Sequence, residues 1–224
     1  MSETKAIVLN AYGTLLDSFS SFNEYKDLLG DNALVIYKLW RGKRLQYSSQ
    51  LCLMNRYTSY DKITRYALDF ACDAYNVHDE DIKNKIIAAH SKLECYPDIK
   101  ETLERLHSEG YTLSVLSNGS PKSVKHTLEN SGISKYIDRV FSTDLIKSYK
   151  PSPAVYEYVN EELALPSKKI CFVSSNSWDI AGSVSYGFRS IWLNRDKHTP
   201  EKFPFTPDVE ISSMTELPNV IHRK

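Results

Sequence analysis

The chain has 224 residues, enough for one well-buried core with a modest inserted domain beside it, so one or two domains are expected. Apolar residues make up 42% and charged residues 25%, a balance that excludes the disordered and fibrous classes. Lys plus Arg and Asp plus Glu both number 28, so no overall field draws the chain to nucleic acid or to an anionic membrane. The first stretch, MSETKAIVLNAYGTLLD, lacks the basic and apolar regions of a secretory leader, and no apolar run approaches the roughly 20 residues of a bilayer span. A cytoplasmic protein is therefore expected. The cysteines Cys52, Cys72, Cys95 and Cys171 lie far apart without a CxxC pair, so they read as small buried hydrophobes, with a Cys52–Cys72 bridge as the alternative.

In chain order, residues 5–10 (KAIVLN) form a short β-branched run that ends at Asn10, followed by a turn that Gly13 permits. From about 17 to 92 the apolar residues recur at three- and four-residue spacing, as in 32–40 and 63–70, which predicts helices and few strands. After Pro97 the rhythm changes. A helix over 98–109 closes on Gly110, a strand covers 111–116, and Ser120-Pro121 supplies an N-cap and first-turn proline for another helix. A helix after Pro153, a strand over 169–173, a helix over 178–186 and a strand over 189–193 continue the alternation. Residues 200–207 read as a Pro-rich surface loop.

Alternating apolar strands and amphipathic helices predict a parallel sheet covered on both faces. The expected architecture is a doubly wound, Rossmann-like α/β core, residues 1–16 and 93–224, with a helical cap, residues 17–92, inserted after the first strand. Sheets of this kind hold their sites at the carboxyl ends of the strands. Here those ends are Asn10, Ser117-Asn118 and Ser174-Ser175-Asn176.

Three short motifs stand at those positions, Asn10-Ala-Tyr-Gly-Thr14-Leu15, Ser117-Asn118-Gly119 and Ser174-Ser-Asn176-Ser-Trp178-Asp179, and two more lie elsewhere, Trp40-Arg41 in the helical stretch and Lys150-Pro151 before the helix after Pro153. In order, spacing and element the set resembles the L-2-haloacid dehalogenases of the haloacid dehalogenase superfamily. The resemblance spans nearly the whole chain. It implies a hydrolase that cleaves a carbon–halogen bond in an L-2-haloalkanoic acid and releases halide and a D-2-hydroxy acid. It further implies a homodimer and no cofactor. In that family the position of Asn10 is an aspartate, whose carboxylate attacks C2 of the substrate and forms an ester that water then opens.

A neutral carboxamide is a far poorer nucleophile than a carboxylate, so the chain as it stands is expected to turn over little or not at all. With every other expected residue present, Asn10 reads as an engineered or trapped form of an active enzyme. The alternatives are a natural protein that only binds, or an Asn10 that is misassigned or partly hydrolysed to Asp. Phosphatases of the superfamily carry a second Asp two residues after the nucleophile, where this chain has Tyr12. Only Asp179 remains as a carboxylate for Mg²⁺, so no metal is expected.

The resemblance assigns Arg41 to the substrate carboxylate and the departing halide, a use suited to a planar cation. A solvated helix arginine is the plain alternative, and the neighbouring Lys43 and Arg44 read as surface charges. Tyr12 and Trp178 would wall the pocket, while Ser117 and Asn118 offer a hydroxyl and backbone N–H groups to the substrate or merely form a turn. Lys150, biased to an extended conformation by Pro151, is placed to orient the nucleophile. Asp179 is expected to pair with Lys150 and position water, with Ser174 and Asn176 bonding the same network. Thr14 is assigned to the nucleophile's side chain, and Tyr156 to the pocket and, through its hydroxyl, to that network. Both have core alternatives. The aromatic stretch Arg56-Tyr-Thr-Ser-Tyr60, read as helical, is a candidate dimer contact.

Overall fold

The fold was analysed in a computed structural model, which describes residues 4–221. Strand β1 (Ala6–Asn10) is buried at every position. It lies between β2 (Thr112–Ser117) and β4 (Ile170–Ser174) in a six-stranded, wholly parallel sheet. Beyond these lie β3 (Arg139–Ser142) next to β2, and β5 (Arg189–Leu193) and β6 (Val209–Ile211) next to β4, giving the order β3-β2-β1-β4-β5-β6. Alternation along β1 divides the core. Ile7 and Leu9 face one apolar layer, closed by helices α6 (Ile99–Ser108), α7 (Pro121–Asn130) and α10 (Leu217–Ile221), through Leu103, Leu128 and Val220 among others. Val8 faces the other, closed by α8 (Pro153–Leu163) and α9 (Ser177–Tyr186) through Val159 and Ile180. The doubly wound arrangement expected from the alternating pattern is what the chain forms.

Between β1 and α6 run five helices: α1 (Ser20–Asn23), α2 (Lys26–Leu29), α3 (Ala33–Leu53), α4 (Tyr60–Asp73) and α5 (Glu80–His90). They share an apolar cluster of their own that includes Phe22, Ile36, Trp40, Leu68 and Ile86. Local chemistry sets their starts. The Ser59 side chain accepts from Lys62 N, and Asp79 accepts from Asp81 N and Ile82 N, satisfying first-turn donors. The chain leaves and re-enters the sheet layer at one seam, where Leu16 and Cys95 form an antiparallel bridge and Tyr96 N donates to Leu15 O at 3.0 Å.

Several expectations are corrected here. Residues 56–59 are not helical, because Ser59 caps a helix that begins only at Tyr60, and the aromatic segment is a connecting loop. Its Tyr57 stacks on Tyr149 and its hydroxyl donates to Asp144. Strands β3 and β6 were not anticipated. All four cysteines are free, so there is no Cys52–Cys72 bridge, and only Cys72 and Cys171 are fully buried. Among the described residues no helix is long and apolar enough to cross a membrane.

Candidate active site

A cavity of about 700 Å³ opens at the carboxyl ends of β1, β2 and β4. The strand tips contribute Asn10, Ser117 and Asn118 to its wall, and α3 contributes Tyr37, Arg41 and Arg44 from the opposite side. Tyr12, Lys150 and Trp178 complete the part nearest Asn10.

The inner end is built around one ammonium. Lys150 Nζ donates to Asn10 Oδ1 at 2.8 Å, to Asp179 Oδ2 at 2.5 Å and to Leu116 O at 3.3 Å. Lys150 and Asp179 are both excluded from water. Burial pulls the lysine pKa below its ordinary value, and the adjacent Asp179 carboxylate opposes that pull. The lysine backbone is pinned as well, since its N–H donates to Asn118 Oδ1 at 2.8 Å, which also accepts from Thr143 Oγ1. The side chain of Asn118 therefore secures the loop that carries Lys150, in addition to its place on the cavity wall.

Asn10 has a single satisfied orientation. Its Oδ1 takes the ammonium, and its Nδ2 donates to Tyr12 O at 3.0 Å and Thr14 Oγ1 at 2.9 Å. Thr14 in turn accepts from Ser175 N at 2.9 Å, which ties the turn after β1 to the tip of β4. That turn is tight: Gly13 adopts φ +82°, a left-handed conformation that favours glycine, and its N–H donates to Leu16 O. A carboxylate at position 10 would keep the lysine contact and take a hydrogen from the Thr14 hydroxyl, but would set an oxygen against the Tyr12 carbonyl.

Asp179 is held from three sides. Besides Lys150, Tyr156 Oη donates to its Oδ1 at 2.8 Å and Ser174 Oγ donates to its Oδ2 at 3.3 Å. Tyr156 is fully buried behind Asp179 and does not reach the cavity, so its placement among the substrate contacts is corrected and its link to the network stands. Burial, reinforced by the Asp179 charge, raises its phenol pKa well above the ordinary value and keeps it a donor. Asn176 joins the network through its backbone, whose N–H donates to Ser174 Oγ at 3.1 Å and whose carbonyl accepts from Asp179 N at 3.0 Å, while its side chain accepts from Arg41 Nη2 at 2.7 Å and holds the arginine at the mouth. Ser117 Oγ accepts from Gly119 N at 3.1 Å, which supports the turn reading and leaves its hydrogen free to donate.

Arg44 is the residue that sequence reasoning placed wrongly. It is buried, with its guanidinium 4.4 Å from the Trp40 ring and Nη1 3.1 Å from His90 Nε2. The His90 ring packs between Tyr12 and Trp40. Burial, with help from the Arg44 and Arg41 charges, holds its pKa well below the usual histidine value, so it is neutral and its Nε2 accepts from Arg44. The signal was present: the buried positions of α3 are Ala33, Ile36, Tyr37, Trp40, Arg44 and Ser48, a helical stripe in which Arg44 falls four residues after a tryptophan.

Comparison with known proteins gives the family. Residues 55–193 match the haloacid dehalogenase-like hydrolase family. The (S)-2-haloacid dehalogenase 4A of Burkholderia cepacia is 37% identical, over 95% of this chain and 93% of that protein. Among solved structures, a dehalogenase with 34% identity superposes with a TM-score of 0.96 over the whole of both chains. The L-2-haloacid dehalogenase of Xanthobacter autotrophicus, solved with chloropropionic acid covalently bound, gives 0.90 at 27% identity, over 98% of this chain and 99% of that one. Full-length likeness of sequence and fold, with the five motifs gathered around one cavity, establishes that the chain belongs to the L-2-haloacid dehalogenase family of the haloacid dehalogenase-like hydrolases.

Proposed function

We propose that this protein binds L-2-haloalkanoic acids, and that with a carboxylate at position 10 it hydrolyses them to D-2-hydroxy acids and halide. The observation that carries this reading is the chain of contacts Asn10–Lys150–Asp179 at the tip of the central strand. In the carboxylate form, one oxygen at position 10 attacks C2 from behind, the C–O bond forms, and halide leaves with the bonding pair. Arg41 receives the substrate carboxylate, and Ser117 and Asn118 bind it from the β2 side. Tyr12 and Trp178 shield the alkyl group. Water entering the cavity then adds to the ester carbonyl, with Asp179, buried behind Lys150 and off the cavity wall, acting through that lysine rather than on the water itself, and cleavage of the acyl–oxygen bond releases the hydroxy acid and restores the carboxylate.

Lys150 already supplies a positive charge between position 10 and Asp179, and this supports a reaction without a metal. The five helices over residues 17–92 act as a cap that brings Arg41 over the strand tips. The protein is assigned to the cytoplasm and to a homodimer. In the chain as it stands, the amide at position 10 blocks the first step, so substrate is held without turnover. The full satisfaction of that amide also favours a second reading, a protein that only binds small carboxylates.

Chloride release from L-2-chloropropionate, without added metal, tests both readings. Asn10→Asp should release chloride at least about 10³-fold faster than the unmodified chain. Absence of chloride release from a folded Asn10→Asp protein would sink the dehalogenase reading and leave the binder.

A further inference from the structure

Arg44 stands in a position that ordinarily demands a counter-ion. Its relative exposure is 7%, and buried arginines are normally paired with an acid. Among the described residues it forms no ion pair. Its hydrogen-bonding partner is the neutral ring of His90, and its Nε lacks a partner. No carboxylate is among its hydrogen-bond or ion-pair partners within the described residues. Yet Arg44 lines the cavity. An unmatched guanidinium on the wall of a water-accessible pocket favours an anion there, and its planar fork suits a carboxylate.

We propose that Arg44 receives the far carboxylate of a 2-halodicarboxylic acid, and so selects dicarboxylate substrates. This rests on the haloacid reading of the same cavity. Placement argues against the departing halide as the occupant. The halide leaves from the carbon next to position 10, whereas Arg44 lies beyond Tyr12: the Asn10 amide bonds the Tyr12 carbonyl, the Tyr12 ring stacks on His90, and His90 bonds Arg44. Arg41 lies one helical turn away on the same helix and is turned towards Asn176 at the mouth, so the pocket offers separate cations to the two ends of one molecule. Its volume, about 700 Å³, also exceeds what a three-carbon acid needs.

The unmodified chain is itself the test material, because binding can be read without turnover. Titration calorimetry at pH 7.5 in chloride-free buffer compares succinate with butyrate, acids of equal carbon number that differ in the second carboxylate. Succinate should bind at least about 10-fold more tightly, the effect expected of one charge-assisted pair. Arg44→Gln should bring the ratio near one, and Arg44→Lys should keep part of it. Should Arg44→Gln fail to fold, the ratio in the unmodified chain and in Arg44→Lys decides. Equal affinities in the unmodified chain, or a preference that survives Arg44→Gln, overturn the proposal. Equal affinities that both weaken as chloride is added would assign Arg44 to halide and overturn it as well. Binding of neither acid would overturn the inference together with the haloacid reading, which chloride release by Asn10→Asp decides independently.

Discussion

The Lys150 ammonium lies 2.8 Å from the Asn10 amide oxygen and, on its other side, 2.5 Å from Asp179. Both charged partners are shut off from water, so neither can lose the other cheaply. Lys150→Met should leave a buried, unpaired carboxylate and lower stability by about 3–5 kcal/mol. Urea unfolding checks this. A loss within 1 kcal/mol would mean that Asp179 becomes protonated or finds another donor.

The hydroxyl of Tyr156 fixes the oxygen of Asp179 that Lys150 does not hold. Tyr156→Phe should cost about 1.5–3 kcal/mol, the usual worth of a hydrogen bond to a charged group. In the Asn10→Asp background it should lower kcat more than it raises KM, because the residue has no access to substrate. Gly182 offers a second route to the same contact. A Cβ there would lie 2.5 Å from Tyr156 Oη and 2.6 Å from Pro151 Cβ, so Gly182→Ala should destabilise by about 1–3 kcal/mol. Thermal melting checks both losses, and an unchanged melting temperature in either variant would contradict the expectation.

Arg41 is held at the cavity mouth by the Asn176 side chain. Asn176→Ala frees the guanidinium to sample other rotamers, and the substrate must then pay for ordering it. In the Asn10→Asp background KM should rise about 3- to 10-fold with kcat changed less. A fall in kcat with KM unchanged would instead place Asn176 in the chemical step.

His90 should make stability depend on pH. Its pKa in the fold is held well below the ordinary value by burial and by Arg44 and Arg41, so the unfolded chain binds the extra proton first. The stabilising difference is complete above the unfolded value of about 6.5 and is lost as pH falls towards the folded one. Between pH 7 and pH 5 the chain should lose more stability than His90→Gln, by no more than about 1.4 kcal/mol per pH unit. Parallel curves for the two proteins would contradict this.

Much of the architecture is legible in the sequence because four of the six strands are apolar runs bounded by turns. Strand β3 (RVFS) has an exposed arginine and only four residues, and β6 (VEI) only three, so neither carries a period that can be read. The candidate site is legible at the strand tips, where motif position and spatial position coincide, as at Asn10 and Asp179. It is not legible where a side chain chooses between neighbours. The Asn176 side chain bonds Arg41 while its backbone bonds Ser174 and Asp179, a division set by tertiary geometry. Arg44 reads as a surface charge by residue type, although the burial stripe of α3 passes through it.

Leu16 and Cys95 are bridge partners, so the helical segment leaves and rejoins the sheet at neighbouring points of the backbone. Its ends are already where a short splice would put them. A genetic exchange cut at that seam would replace α3, and with it Arg41 and Arg44, while the residues around Lys150 stayed in place. On the proposed roles of Arg41 and Arg44, preference for one haloacid over another would be inherited as a cassette, separately from the power to break the bond.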